Sequence, residues 1–458
     1  MKGSDVHSTV NAPRSLIPIG AAALLPDTAE HVRRLEEVLL GRIGQWGYRE
    51  IIPPTFEYLD VLSAGLAPPV LEKCFKFADW TTGRILVLRP DVTAQIARIV
   101  AMGMGGAELP LRFCYRSTVF RYEPEHVGRD REIFQIGVEL IGVDGPHFDA
   151  ELLLLLVELM KAAGLPDFTV SLGHVGFYQR LLVQSGLSPE KRREAEYAAA
   201  HKDLPRLEQV LAQERVSRRL ARTLLETLER CGRDDVLEWG RRIAGRDPAL
   251  REPLDRLASV YRFLIKAGCG NHVVLDLGEF RGFDYYDGVV FDVFTDTVGR
   301  ELGGGGRYNH LIGRFGRDLP STGFAVDIDR LFAAMRPGDG SQKTARLPVV
   351  VLSAPRQYQA AWKLAQRLRA SGWTVVQDTV LSAEALQIRH LRKQRRYISA
   401  SAIVMLGADG LSKTEAFVAL PGQSFRASKV QQGDLPSVLH TSVLSEGADG
   451  RAPGSRPS

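Results

Sequence analysis

The sequence predicts an α+β protein in two parts: an antiparallel sheet with helices and a helical insertion, then a small C-terminal α/β domain. Three observations predict this. Strand-like and helical patterns are interspersed through the first 335 residues. A charged stretch from 174 to 270 is nearly free of strand patterns, which indicates the insertion. Strands and helices alternate from residue 348 onward, which is typical of a largely parallel sheet.

Composition limits the classes of function. The chain has 458 residues, 45% of them hydrophobic, which suits two or three soluble domains. The net charge of +5 is small for this length, and its one basic run, at 389–397, is interpreted as a solvated helix face, so nucleic acid is not an expected partner. The longest apolar run, within 150–160, is too short to span a bilayer. We therefore expect no membrane partner.

The four cysteines are widely scattered, and none forms a Cys-x-x-Cys pair or lies near a histidine at metal-ligand spacing. This pattern favours a reduced, cytoplasmic protein that has no metal and no cofactor. No serine, cysteine or histidine nucleophile constellation stands out. Four histidines have no visible partner at a recognisable spacing and are interpreted as turn or surface residues: His126, His147, His174 and His310.

The first elements follow from apolar spacing. Residues 1–14 are expected to be a flexible N-terminus. A helix is predicted over 28–47, because its apolar residues recur at helical spacing and Gly47 follows as a stop. Pro53 and Pro54 then make the next stretch an extended segment rather than a central strand.

Strands are predicted at 84–90, 111–122 and 132–142, with helical patterns between and after them. After the insertion, strand patterns resume over 273–296. The glycine run at 303–306 matches no phosphate-binding spacing, so we interpret it as a tight turn or bulge. This order implies one antiparallel domain over 15–335, built from two separated parts of the chain.

The rest of the chain divides by composition. Residues 336–347 are rich in glycine and polar residues and are predicted to be a linker. The α/β domain is predicted over 348–440. The tail, 441–458, is predicted to be disordered, because its final stretch has no apolar content.

Two pairs of polar residues are candidates for a site. Asp91 and Thr93 follow a strand and open a helix, where they act either as an N-cap or in a pocket. Gln135 and Glu139 point the same way from a strand that is otherwise apolar, which fits a surface face or a pocket. The pocket is favoured because four arginines flank the same hairpin: Arg116, Arg121, Arg129 and Arg131.

The stretch LGEFRGFDYYDGVVFDVF, residues 277–294, has an apolar second half and a polar first half. The second half suits a buried strand. Burying the charges of the first half costs several kcal/mol unless they are paired. Its polar residues therefore either satisfy one another or face a pocket that takes a polar ligand; they are Arg281, Asp284, Tyr285, Tyr286 and Asp287.

Four motifs in series carry a family resemblance: LRPDVTAQ, FRYEPEHVGRDREIFQIGVE, RGFDYY and GGGGRYNHL. In this order they resemble the catalytic domain of the class II histidine–tRNA ligases, over about residues 15–335. Two protein types share that fold: the ligase, and its paralogue that is the regulatory subunit of ATP phosphoribosyltransferase in histidine biosynthesis. Residues 348–440 resemble the anticodon-binding domain of the ligases.

The resemblance implies a histidine pocket formed by Asp91, Thr93, Arg121, Gln135, Glu139, Arg281, Tyr285 and Tyr286. Asp91 and Thr93 would accept hydrogen bonds from the α-ammonium group. Glu139, with Tyr285 or Tyr286, would hydrogen-bond the imidazole. Arg121 with Gln135 would bind the carboxylate, and Arg281 would complete one wall.

Departures from the ligase pattern favour the regulatory subunit. Ligases have LRPEGTA where this chain has LRPDVTA, and a glycine where GFAVDIDRL has Asp327. A carboxylate at that position would lie beside a triphosphate, so we predict weakened ATP binding. The segments HVGFYQRLL, AAAHKDLPRLEQVL and LDLGEFRGFDYY are also similar to the regulatory subunits.

We therefore predict a non-catalytic regulatory subunit that partners a short-form catalytic subunit and binds L-histidine as a feedback effector. The stretch GYREIIPPTFEY resembles the class II segment at a dimer interface, which implies a homodimer core. Two alternatives stay open. Arg121 and Arg281 are retained as in ligases, which keeps a histidine–tRNA ligase as a hypothesis, and a stand-alone histidine-binding module is the other.

Overall fold

The computed structural model describes residues 18, 20–122, 131–279, 285–335, 348–379, 400–407, 415–419 and 427–446. The chain divides into two compact units, Met1–Gly340 and Ser341–Ser458. The predicted linker at 336–347, the basic run at 389–397, the N-terminal 1–14 and the end of the tail lie outside the described residues. Arg281 and His126 also lie outside them.

The helices of the first unit are α1 Pro26–Gln45, α2 Leu59–Leu62, α3 Pro68–Glu72, α4 Val92–Gly103, α5 Pro146–Ala162, α6 Val175–Gln184, α7 Pro189–Ala200, α8 Leu204–Gln213, α9 Arg218–Leu228, α10 Asp234–Ala244, α11 Pro248–Lys266 and α12 Ile328–Ala334. Its strands are β1 Arg49–Glu50, β2 Phe56–Tyr58, β3 Lys76–Ala78, β4 Ile85–Leu88, β5 Leu111–Phe120, β6 Glu132–Ile141, β7 Thr169–His174, β8 Cys231–Gly232, β9 Val273–Asp276, β10 Val289–Thr295, β11 Val298–Arg307 and β12 Ser321–Asp327.

The main sheet of this unit has the order β1-β5-β6-β12-β11-β10-β7-β9-β8 in the described part of the chain. Its strands pair antiparallel, except that β1 runs parallel to β5 and β7 runs parallel to β9. A smaller sheet has the order β2-β4-β3. The α+β fold with an antiparallel core is therefore confirmed.

A large core cluster joins strands of the main sheet to α1, α5 and the helices of the insertion. Helix α5 carries the apolar run LLLLLV and is buried on nearly all sides, with α1, α11 and β12 packed against it. A second cluster on the same unit joins α4 to β5 and to the residues that follow β11. This second cluster supports the N-terminus of α4, where two candidate site residues lie.

The helical insertion joins two neighbouring strands. Helices α6 to α11 run between β7 and β9, and β8 adds a short antiparallel edge strand to β9. Because β7 and β9 are parallel neighbours, the insertion is the crossover that their pairing requires. Its two ends are thus attached to neighbouring strands, at the end of β7 and at the start of β9.

In the second unit the strands are β13 Val349–Ser353, β14 Val375–Thr379, β15 Ala402–Leu406, β16 Glu415–Ala419 and β17 Ala427–Gln431. The described helices are α13 Tyr358–Ala370 and α14 Leu435–Glu446. The order is β14-β13-β15-β16-β17, and only β14, β13 and β15 run parallel. The prediction of a largely parallel sheet is thus only half right, because β15, β16 and β17 pair antiparallel.

The interpretation of the glycine run as a turn or bulge was wrong. Gly303–Gly306 lie inside β11 and pair with β10 on one side and β12 on the other. A Cβ atom added at Gly303 would lie 2.7 Å from Val326 Cα, and one added at Gly305 would lie 2.6 Å from Phe324 Cα. Glycine is needed here because the backbones of β11 and β12 approach too closely for side chains.

His174 is not a surface residue. It is buried at the end of β7, and its Nδ1 accepts a hydrogen bond from the Gly176 backbone N–H at 3.1 Å, so it caps α6. Burial lowers the pKa of this imidazole to about 3. His310, by contrast, is exposed. None of the helices in the described ranges is long and apolar enough to cross a membrane.

Replacing Gly305 by alanine tests the close approach of β11 and β12. We expect Gly305→Ala to lower the free energy of unfolding by about 2–4 kcal/mol, because backbone atoms of β12 cannot move aside cheaply. The matched control is Gly299→Ala on the same strand, where an added Cβ meets nothing within 4 Å. Chemical denaturation followed by circular dichroism measures both. Equal effects at the two positions would contradict the close approach.

Candidate functional site

A cavity of about 360 Å³ lies where the N-terminus of α4 meets strands β6, β11 and β12 and the insertion. Six of the eight predicted site residues line it: Asp91, Thr93, Arg121, Gln135, Tyr285 and Tyr286. A more open groove of about 530 Å³ along α11 contains none of them. We therefore take the first cavity as the candidate site. Arg281 lies outside the described residues, so its predicted place in the wall stays a prediction.

Asp91 serves both of the roles that its sequence position allowed. It is the N-cap of α4, and its Oδ1 accepts a hydrogen bond from the Ala94 backbone N–H at 2.9 Å. Its Oδ2 faces the cavity and accepts a hydrogen bond from the Tyr285 hydroxyl at 3.2 Å. The positive end of the helix dipole favours a negative charge here. The cap therefore holds a carboxylate in a fixed position at the cavity wall.

Glu139 is predicted to hydrogen-bond the imidazole, but it is absent from the described lining and lies behind Thr93 and Tyr308. It is 1% exposed, and the Thr93 hydroxyl donates to its Oε1 at 2.7 Å. The Tyr308 hydroxyl donates to its Oε2. Glu139 therefore acts on the cavity through the hydroxyl groups of Thr93 and Tyr308, which it orients.

Burial is the main cause of the raised pKa of Glu139. Loss of hydration raises the pKa of its carboxyl group to about 8, and the hydrogen bonds from Tyr308 and Thr93 only partly oppose this. The nearby Asp91 raises it further. At neutral pH the buried carboxyl group is thus largely protonated, and a ligand that brings a positive charge close to it would favour the ionised form.

Three tyrosine rings form an aromatic wall. The ring centroids of Tyr285 and Tyr286 are 4.7 Å apart, and that of Tyr308 lies 5.9 Å from Tyr285 and 6.5 Å from Tyr286. Their faces and hydroxyl groups suit a flat polar ring or a cation. This wall contains two residues that the sequence predicted and one, Tyr308, that it did not.

At the other end of the cavity, the arginines and Gln135 are already in contact with groups of the protein. Gln135 Nε2 donates to Asp327 Oδ1 at 2.7 Å, so it is engaged by Asp327 rather than positioned only for a ligand carboxylate. Arg121 Nε donates to the Pro90 carbonyl oxygen at 2.8 Å, which fixes the side chain beside α4. Arg330 forms ion pairs with Asp327 at 3.1 Å and with Glu301 at 2.7 Å.

The cavity is acidic. Within the described part of the chain, five carboxylates line it against two guanidinium groups, and the carboxylates are Asp91, Glu279, Asp292, Glu301 and Asp327. Burial raises the pKa of Asp327, and Arg330 and Gln135 oppose that shift. A small ligand with a positive charge is therefore favoured, and a polyanion is disfavoured.

Sequence reasoning missed several lining residues. Asp292 and Glu301 had a usable signal, because each is a carboxylate within or beside a strand pattern of apolar residues and glycines. Tyr308 lies two residues after the glycine run and belongs to a motif that carried the resemblance. Ala200, at the end of α7, had no signal, because the packing of the insertion alone brings it to the cavity.

Comparisons with known proteins agree on the family to which this chain is similar. A profile of the histidyl-tRNA synthetase family matches residues 20–331. The chain is 35% identical over 421 residues to the ATP phosphoribosyltransferase regulatory subunit of Geobacter metallireducens, which covers 92% of this chain and 95% of that one. It is 40% identical over 370 residues to the protein of the same description from Moorella thermoacetica, covering 80% and 93%.

Solved structures agree with the fold. A Bacillus halodurans protein described as an ATP phosphoribosyltransferase regulatory subunit/histidyl-tRNA synthetase matches with a TM-score of 0.72 and 29% identity, covering 81% of this chain and 95% of that one. The histidyl-tRNA synthetase of Nostoc matches with a TM-score of 0.71 and 18% identity, covering 93% and 98%. The latter supports the fold alone. The family predicted from the four motifs is thus confirmed.

The raised pKa of Glu139 predicts a pH dependence of stability. Between about pH 5 and pH 8 the folded state holds a proton that the unfolded chain releases, so stability falls as pH rises, by at most ~1.4 kcal/mol per pH unit. Glu139→Gln should remove this slope. Denaturation of the ligand-free protein across that range measures it, with Glu208→Gln on the exposed face of α8 as control. A slope that survives in Glu139→Gln would show that another group causes it.

Proposed function

The chain belongs to the family of ATP phosphoribosyltransferase regulatory subunits, and we propose that it binds L-histidine in the acidic cavity and acts as the non-catalytic, feedback-sensing partner of a short-form catalytic subunit. Membership of this family supports the proposed pairing with a catalytic subunit. The main observation in favour of histidine as the effector is the cavity itself, whose lining includes Asp91, Thr93, Arg121, Tyr285 and Tyr286. Its volume of about 360 Å³ lies at the low end of the roughly 300–1,000 Å³ typical of small-molecule sites.

Each group of histidine has a counterpart in the cavity. The α-ammonium group would lie near Asp91 and Thr93, where the carboxylate that caps α4 and a hydroxyl oxygen are acceptors. The imidazole would pack against the tyrosine wall, with the Tyr308 hydroxyl, held by Glu139, within its reach. The carboxylate would pair with Arg121, because this guanidinium group lines the cavity next to α4.

The same cavity is poorly suited to ATP. Arg330, a cation that a phosphate group would need, is in ion pairs with Asp327 and Glu301. A triphosphate would have to displace both carboxylates and would lie beside their charge. This supports a subunit without ligase chemistry. The competing candidate, a histidine–tRNA ligase, is favoured by one observation: Asp91, Thr93 and Arg121, which the resemblance assigns to histidine, all line the cavity.

We also propose a homodimer core in the cytoplasm. The segment that resembles the class II dimer interface carries Ile52 and Phe56, which are 82% and 51% exposed in the single chain. Exposed large apolar side chains of this kind are typical of surfaces that a partner covers. The four cysteines are free, as expected in a reducing compartment.

The first test measures phosphoribosyl-ATP formation by the short catalytic subunit of the same organism, with and without this protein, across a histidine titration. We expect activity to rise on mixing and to fall as histidine is added. Asp91→Asn keeps an N-cap but removes the charge that pairs with the ammonium group. It should raise the histidine concentration for half inhibition about 10- to 100-fold.

Asp247→Asn is the matched control, because Asp247 is also an N-cap aspartate, on α11, and does not line the cavity. It should leave the titration unchanged. If the protein neither activates the catalytic subunit nor confers sensitivity to histidine, the proposed function is wrong.

A second test separates the regulatory subunit from the ligase. We expect the protein to show no histidine-dependent exchange between ATP and pyrophosphate. Asp327→Gly should raise ATP affinity about 10-fold or more, because it removes a buried carboxylate from Arg330, whereas Asp318→Gly at an exposed position should not. Calorimetry measures ATP binding. Robust exchange by the unaltered protein would instead favour the ligase.

A further inference from the structure

A four-residue turn, Asp276–Glu279, connects the candidate cavity to the helical insertion. It begins at Asp276, the last residue of β9. Asp276 Oδ1 accepts a hydrogen bond from the Gly278 backbone N–H at 2.8 Å, and the Glu279 N–H donates to the Asp276 carbonyl oxygen at 3.3 Å. Glu279, at the end of the turn, lines the cavity. Because of these internal hydrogen bonds, a displacement of Glu279 would move the whole turn with it.

On its inner side, this turn is pressed against the sheet. The Ser171 hydroxyl of β7 donates to Glu279 Oε2 at 3.1 Å. Gly173, two residues further along β7, packs so closely that an added Cβ would lie 2.5 Å from both the Asp276 carbonyl oxygen and Glu279 Cβ. The turn has no space to move toward β7.

On its outer side, the turn contacts the insertion just as closely. A Cβ added at Gly278 would lie 2.5 Å from Leu228 Cα, at the end of α9. The Leu277 N–H donates to the Arg230 carbonyl oxygen at 3.2 Å, and Cys231 of β8 pairs with Asp276. Main-chain atoms of the insertion thus follow any movement of the turn.

An ion pair joins the turn to a second part of the insertion. Lys202 Nζ lies 2.9 Å from Asp276 Oδ2, and Asp276 is buried, with its side chain 6% exposed. Lys202 has a positive φ of 50°, a conformation that few residues other than glycine adopt, so the backbone here is held in an unfavoured state. Ala200, two residues earlier, lines the cavity itself. The cavity lining therefore includes a residue near each member of this ion pair, namely Ala200 near Lys202 and Glu279 near Asp276.

We propose that the Asp276–Glu279 turn is the mechanical link through which a ligand in the cavity sets the position of helices α7 to α9, and that the Lys202–Asp276 ion pair fastens this link. The inference rests on the proposed function only for the identity of the ligand. A ligand that moves Glu279 or Ala200 shifts the helices, because glycine-lined contacts on both faces of the turn exclude independent motion. The insertion is then the region of the first unit that reports whether the cavity is occupied.

Hydrogen–deuterium exchange with mass spectrometry, with and without L-histidine, tests the link. In the unaltered protein, histidine should slow exchange in the 276–279 turn and in α7 to α9 as well as in the cavity strands. Lys202→Met should keep the histidine affinity within about threefold by calorimetry, because Lys202 does not line the cavity, yet lose at least half of the protection in α7 to α9. Lys191→Met is the control, since it removes another lysine ion pair, with Glu194, on α7.

The outcomes separate this inference from the proposed function. If histidine binds and protects the cavity strands but not α7 to α9, or if Lys202→Met keeps their full protection, the link is wrong and the proposed function stands. If calorimetry detects no histidine binding, the proposed function fails. The link is then judged in the ligand-free protein, where Lys202→Met must speed exchange in the turn and in α7 to α9 together, and Lys191→Met must not. Unchanged exchange overturns it.

Discussion

The close approach of β11 and β12 determines the shape of the candidate site. Gly303 and Gly305 let the two backbones approach, because a Cβ added at either would overlap backbone atoms of β12, and Gly303, Gly304 and Gly323 form part of the cavity lining. Gly323 also lies opposite Glu139 on β6, where a side chain would overlap the buried carboxyl group. The open volume, the buried Glu139 and the hydroxyl groups that it orients all follow from this local absence of side chains.

The charges around that volume then determine its selectivity. Asp91 caps the N-terminus of α4 and is held there by the Ala94 backbone N–H and by the Tyr285 hydroxyl, so its carboxylate is an acceptor in a fixed position. At the opposite end, Asp327 and Glu301 neutralise Arg330. The described lining thus places a fixed carboxylate at the N-terminus of α4 and an arginine already paired with two carboxylates elsewhere in the cavity. An anionic ligand would have to compete with Asp327 and Glu301 for Arg330.

Sequence patterns anticipated much of this site and failed where long-range packing decides. Asp91 could be placed because a strand end and a helix start are local features. The glycine run and His174 were misinterpreted, since only the pairing of β11 on both sides and the burial of β7 explain them. Glu139 was assigned to the pocket but lies one layer beneath it, which depends on the depth of the sheet and not on strand alternation. Ala200 reaches the cavity through the packing of a whole insertion, and no local pattern predicts that.

The placement of the insertion explains why it is suited to sense the cavity. Its two connections to the sheet are the ends of β7 and β9, which are neighbours in the sheet. One connection is His174, buried and capping α6, and the other enters β9 at Val273, so the length of β9 separates it from the turn that carries Glu279. In the proposed link, the Asp276–Glu279 turn meets the insertion at Leu228 and Arg230, and the Lys202–Asp276 ion pair adds a further contact. Because the turn is packed against β7 on one side and against the end of α9 on the other, a shift of Glu279 would be passed on to α7 to α9 rather than absorbed within the turn.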